Sequence, residues 1–196
     1  MHPRRRLLLE RLRDENSDVR VAASEALDRL DLLEALPEAA KRLRGLKRQE
    51  WMRLLRALLD VRDETGLRIA VAGLSHPDEE VRVAALEVVE AYRDWRATSR
   101  VVERLGDPAP VVRAKAAQVL GALGDRRAAA SLRTRLGDPS PEVVVAAARA
   151  LGFLGHVPSE TTLMELARHD DPRIRAAAVE ALGRLGFPPP PEPREG

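Results

Sequence analysis

Apolar positions return along this chain every 31 residues. Leu12, Leu43, Leu74, Leu105, Leu136 and Ala167 form one such series. Leu8, Ala39, Ala70, Val101, Leu132 and Leu163 form a second, and Leu27, Leu58, Val89, Leu120, Leu151 and Leu182 a third. A self-similar period of this length is the signature of stacked structural repeats. Within one period the local spacing is helical. From Trp95 to Leu105, small or apolar residues stand at Ala97, Val101, Val102 and Leu105, and Gly106 is a natural left-handed stop. The run Asp107-Pro108-Ala109-Pro110 is a turn. From Pro110 the residues Val112, Ala116, Val119, Leu120 and Leu123 make one stripe of a second helix, which Gly124 ends.

The same punctuation recurs. Ser140-Pro141 and Asp171-Pro172 put a capping residue before a proline at the first helical position, where a missing N–H costs nothing. Gly155 and Gly186 close later second helices. Gly121, Gly152 and Gly183 lie inside them, at a cost of about 1 kcal/mol each relative to Ala. A bare backbone there lets a neighbouring helix approach. The pattern predicts six helical hairpins over 1–186, with units 1–31, 32–62, 63–93, 94–124, 125–155 and 156–186. Residues 187–196 are a tail with five prolines, expected to be extended or disordered. No hairpin buries enough apolar surface alone, so each must pack on its neighbours.

The runs Asp107-Pro108-Ala109-Pro110-Val111-Val112-Arg113 with Leu120-Gly121-Ala122-Leu123-Gly124 resemble HEAT repeats. So do Asp171-Pro172-Arg173-Ile174-Arg175 and Ala181-Leu182-Gly183-Arg184-Leu185-Gly186. They are similar to the short HEAT-like subclass seen in phycobilisome lyases and many prokaryotic scaffolds. The resemblance implies an all-α, right-handed α-α superhelix (solenoid) of six stacked hairpins. In it, second helices would line a concave groove and first helices the convex back. The second unit departs most. Glu50 stands where other units have Val or Ile, and Trp51 where most have Arg. That predicts either a one-residue slip of the helix or an altered groove.

Opposite the core stripe, helical geometry places four slots per second helix on the groove face. The first holds Val21, Met52, Val83, Ala114, Val145 and Ala176. The others supply Arg53 and Lys115, then Arg56 and Arg149, then Phe153, among mixed charges and alanines. An apolar line with a charged rim points to a protein or peptide partner. The alternative is that tight curvature leaves these small residues packed on one another. Trp51 with Met52, Arg53 and Arg56 is the expected hot spot, because aromatic and Arg side chains dominate interface energetics. The alternative is a Trp51 that plugs a packing gap. Arg20, Arg82, Arg113 and Arg175 share one slot. They are either a ladder for an anionic partner or the partners of turn aspartates such as Asp107 and Asp138. Lys41, Arg42, Arg44, Lys47 and Arg48 form the densest basic cluster, a solvated loop or an anion contact.

Composition narrows the chemistry. Of 33 basic residues, 30 are Arg, and the net charge is only +2. Such a balance argues against a surface dedicated to nucleic acid. Abundant charge without cysteine suits a heat-tolerant source. The absence of cysteine also removes disulfides, thiolate catalysis and cysteine-held metals. Arg4, Arg5 and Arg6 precede only three leucines before Glu10, too short for a signal core. A soluble, cytoplasmic chain is expected. His76 and His169 lie three units apart and His156 and His169 at opposite ends of one helix, so no metal site is expected. No phosphate loop or nucleophile elbow is present. The expectation is therefore a non-enzymatic interaction scaffold without catalytic residues or cofactors. The family likeness leaves a chromophore-lyase-like subunit or a HEAT-like nucleic-acid binder as alternatives.

Overall fold

The computed structural model describes residues 3–185, and among them every regular element is helical. The expected stop at Gly186 and the proline-rich tail lie outside the described residues. The chain divides into two compact units, Met1–Ile69 and Ala70–Gly196.

The N-terminal unit holds α1 (Pro3–Arg11), α2 (Ser17–Arg42) and α3 (Arg48–Leu58). The division itself falls inside α4 (Glu64–Gly73). Asn16 starts α2, its side-chain oxygen accepting the Asp18 N–H at 2.7 Å and the Val19 N–H at 3.4 Å. No stop follows at Asp31, the slot that Gly124 and Gly155 fill elsewhere. The helix therefore runs on through Pro37 to Arg42. The expected boundary between residues 31 and 32 thus falls in the middle of one 26-residue rod. Arg5 holds α1 to this rod through Asp31 and through Glu34 at 3.0 Å.

Trp51 is a correction to the expected hot spot. It is only 4% exposed, and Leu36, Leu55, Leu58 and Val61 of the same unit are buried as well. Glu50 meanwhile turns outward and accepts the Lys47 N–H at 2.7 Å, closing the first turn of α3. The rest of α3 keeps its register, because Leu55 and Leu58 are fully buried as Leu86 and Val89 are. Trp51 stands in the slot of Arg82, which is buried as well, and the helix has not slipped.

In the C-terminal unit the second helices are α5 (Glu79–Tyr92), α7 (Pro110–Leu123), α9 (Pro141–Phe153) and α11 (Pro172–Arg184). The first helices are the short α6 (Thr98–Glu103), α8 (Ala129–Thr134) and α10 (Glu160–Leu166), each entered through a 3-10 turn. The second helices stack in chain order, α5 on α7, α7 on α9 and α9 on α11. Val112, Ala116, Val119 and Leu120 are fully buried, as the stripe required. Gly124 (φ 74°) and Gly155 (φ 61°) end their hairpins in the left-handed region, and Arg93 does so at φ 52°.

The internal glycines differ among themselves. A Cβ on Gly121 would come within 3.0 Å of the Ala150 Cα and Cβ. One on Gly152 would come within 2.6 Å of the Ala181 Cα, closer than any side chain tolerates. Both are notches that seat the next helix. A Cβ on Gly183 would meet nothing within 4 Å.

The arginine slot resolves into staples. Arg82 donates to both carboxylate oxygens of Asp107, at 2.8 and 2.7 Å. Arg113 does the same to Asp138, at 2.9 and 2.8 Å. The remaining Nη1 of each clamps its own turn, as Arg82 does on the carbonyls of His76 and Pro77. Arg20 and Arg175 make only the clamp, to Asp14 and Glu15 and to His169 and Asp170. Burial alone would push the Asp138 carboxyl up. The bonds from Arg113 and the Ser140 N–H outweigh it and hold the group below its ordinary 3.8.

Candidate functional site

The groove lies in the C-terminal unit, on the faces of α5, α7, α9 and α11 turned away from the stacked first helices. Its volume is about 1420 Å³. Its floor is small and apolar, with Ala114, Ala122, Val145, Ala146 and Ala176, and Phe153 stands at one side. The small floor follows from the packing below it. Helices seated in glycine and alanine notches approach closely, so their outward neighbours must be small as well.

Lys115, Val145, Arg149 and Phe153 are brought together here, as the slot pattern required. Lys115 and Val145 are half-buried, and Arg149 and Phe153 are exposed, the ring by 45%. Val83 is half-buried on α5, outside the lining. Val21, Met52, Arg53 and Arg56 belong to the N-terminal unit. There Val21 is 58% exposed, Arg53 and Arg56 are exposed on α3, and Met52 is half-buried.

Most charges at the rim are paired across neighbouring helices. Lys115 Nζ lies 2.8 Å from Glu90 Oε2, and Gln118 donates to the other oxygen of Glu90 at 3.0 Å. Arg149 meets Glu180 at 3.1 Å. Arg173 meets Glu142 at 3.0 Å and Asp171 at 2.7 Å. The Ser140 hydroxyl and then Arg173 hold the Glu142 carboxyl below its usual range. Arg173 likewise lowers Asp171 to about 2. The Arg184 guanidinium sits 4.1 Å from the centroid of the Phe153 ring, a cation–π contact that fixes the ring at the rim. Arg93 also lines the groove.

Glu90, Arg93, Glu142 and Arg173 were not found by reasoning over single helices. The signal was present all the same. Glu142 and Arg173, and Arg149 and Glu180, are opposite charges separated by 31 residues. Stacked units bring such pairs side by side.

The arrangement supplies contact surface and charge. Among the described residues no group of three or more His, Asp or Glu side chains is placed to hold a metal ion. Among them, no helix is long and apolar enough to cross a membrane.

Comparison with known proteins agrees with the stacked hairpins. Models of HEAT repeats match residues 67–148, 130–193 and 5–31. The chain belongs to the HEAT repeat family. Its HEAT fold is shared by solved structures at low identity. The complex of CpcE and CpcF of phycocyanin lyase from Nostoc sp. PCC7120 matches with a TM-score of 0.61 at 18% identity. That match covers 92% of this chain and 64% of the lyase chain, so the HEAT chain spans under two thirds of that protein. A designed armadillo repeat protein in complex with the peptide (KR)4 matches with a TM-score of 0.60 at 18% identity, over 94% of this chain and all of that one. An engineered protein matches with a TM-score of 0.58 at 19% identity, over 95% and 97%. No curated protein sequence matches the chain.

Proposed function

We infer that this HEAT chain is a non-enzymatic scaffold, and that its groove on α7, α9 and α11 receives a segment of another protein. The observation that carries this is Phe153. A large ring stands 45% exposed beside a floor of alanine and valine, held by Arg184. A solvated face in a chain one-third charged would carry charge there. The fitting ligand is an extended or helical segment with apolar side chains at intervals and charges of both signs between them. The apolar groups would meet Val145 and Phe153, and the charges would exchange with the pairs at Glu90, Lys115 and Arg149. The complex of the designed armadillo protein with a peptide supports a groove of this fold as a peptide site. Val21, Arg53 and Arg56 are exposed in the N-terminal unit, and the same role extends to them. A lyase-like subunit is the second reading, favoured by the fold match to phycocyanin lyase.

The test is affinity capture from a lysate of the source, followed by mass spectrometry, with Phe153→Asp and Arg149→Glu as controls. A specific partner should be retained by the native chain and lost by both variants while thermal melting stays within a few degrees. Retention by both variants would remove the groove as the site. Co-purification of a pigment protein would favour the lyase-like reading.

A further inference from the structure

One helix stop in the C-terminal unit is strained where its counterparts are not. Position 93 is the slot of Gly124 and Gly155, and like them it is left-handed, at φ 52°. Glycine adopts that conformation freely, whereas a side chain carries a steric penalty there. Arg93 carries it, and its exposed side chain lines the groove. The helix end does not require an arginine. The backbone N–H of residue 93 donates to the Val89 carbonyl at 3.1 Å, a bond that glycine makes as well. Strain that one substitution would relieve, kept at the edge of a groove, points to work for the side chain.

The charge of the groove points the same way. Among the described lining residues, four cations (Arg93, Lys115, Arg149 and Arg173) stand against two carboxylates, Glu90 and Glu142. Both oxygens of Glu90 are engaged, by Lys115 Nζ at 2.8 Å and by Gln118 Nε2 at 3.0 Å. Arg173 takes Glu142 at 3.0 Å. The further partners at the rim, Glu180, Asp171 and Arg184, reduce the positive excess and leave its sign. Between the charges the lining turns apolar. Val111 is 53% exposed, in the slot that holds Glu80, Glu142 and Arg173 in neighbouring repeats. With Val145 it lies on α7 and α9, between Arg93 at the end of α5 and Arg173 on α11.

With the groove taken as the docking site above, we propose that the segment it receives is acidic, with carboxylates on either side of an apolar anchor, and that Arg93 grips one of them. From α5 to α11 there are three helix intervals of about 8–10 Å each. An extended chain covers that span in about eight residues. Its apolar side chains meet Val111, Val145 and Phe153. Its carboxylates meet the cations at the two ends, where a guanidinium offers a planar pair of donors. The designed armadillo protein is in complex with (KR)4, a basic peptide. This groove has the opposite preference.

Fluorescence anisotropy with two labelled octapeptides tests the sign. One alternates four glutamates with four leucines, and the other alternates four lysines with four leucines. The native chain should bind the acidic probe at least about tenfold more tightly, and added salt should narrow the gap. Arg93→Gly should weaken the acidic probe at least about threefold while raising the melting temperature, and Arg93→Lys should retain most of the affinity. Phe153→Ala should weaken both probes, because it removes the apolar contact and leaves the charge. Equal binding of the two probes, or preference for the basic one, with Phe153→Ala still weakening both, would overturn the acidic partner and leave the groove as a docking site. If neither probe binds, or Phe153→Ala changes nothing, the groove itself falls. A duplex oligonucleotide that displaces the acidic probe at equal ionic strength would overturn a peptide as the occupant. An Arg93→Gly chain that melts lower and binds as before would reduce Arg93 to a helix stop.

Discussion

The two units solve the same stacking problem with different parts. In the C-terminal unit three hairpins end in the left-handed residues Arg93, Gly124 and Gly155, the notches at Gly121 and Gly152 each seat a helix, and two buried arginine–aspartate staples tie successive turns. In the N-terminal unit the stop is missing at Asp31, two expected helices fuse into α2, and Arg20 finds Gly45 where its carboxylate should stand. A large buried ring, Trp51, takes the place of the staple. Periodicity therefore secures helices and core in both units, while specific turn chemistry decides whether the hairpins keep their outline.

That contrast can be broken most strongly at a staple. Asp107→Ala leaves Arg82, whose side chain is 8% exposed, without its carboxylate, and should cost about 3–5 kcal/mol of stability in chemical denaturation. Arg20→Ala in the other unit should cost under about 1 kcal/mol, because that guanidinium is exposed and only clamps its own turn. Acid should act on the same device. Asp138 lies below its ordinary 3.8 when folded, so its contribution is complete above that value and is lost as pH falls through the lower folded one. Asp138→Asn should flatten the acid limb of the stability profile.

Next in size are the notches. Gly152→Ala places a methyl group against the Ala181 backbone and should cost about 1–3 kcal/mol. Gly183→Ala meets open space in a helix and should stabilise by up to about 1 kcal/mol. Equal effects in thermal melts would mean that the notches do not set the helix spacing. Arg93→Gly relieves a left-handed arginine and should add about 1 kcal/mol, making that stop like Gly124 and Gly155. The smallest effect would sharpen the comparison by transplant. Gly45 has room for a side chain, so Gly45→Asp should give Arg20 the missing acceptor and raise stability by under about 1 kcal/mol.

Much of this was legible in the sequence. The slots of Val112, Leu120 and Leu151 identified the core, and those of Lys115, Val145, Arg149 and Phe153 identified one side of the groove. The pairing of Arg82 and Arg113 with turn aspartates also followed from spacing. Less legible was anything decided by the loss of a signal. A missing glycine at Asp31 does not announce whether a turn forms by other means or the helix continues. Trp51 gave chemistry suited to a hot spot, yet it stands in a slot that is buried at Arg82 too. The rim charges of Glu142 and Arg173 became meaningful only when residues one full period apart were compared.

The seating of Ala150 and Ala181 has a consequence for how the chain can change over time. A bare backbone at position 121 or 152 is tolerable only while a methyl stands 29 residues downstream, and a bulkier partner there collides at once. The two positions must therefore mutate as a couple. Among relatives, a side chain gained at one should be accompanied by volume lost at the other, or by a helix set further from its neighbour.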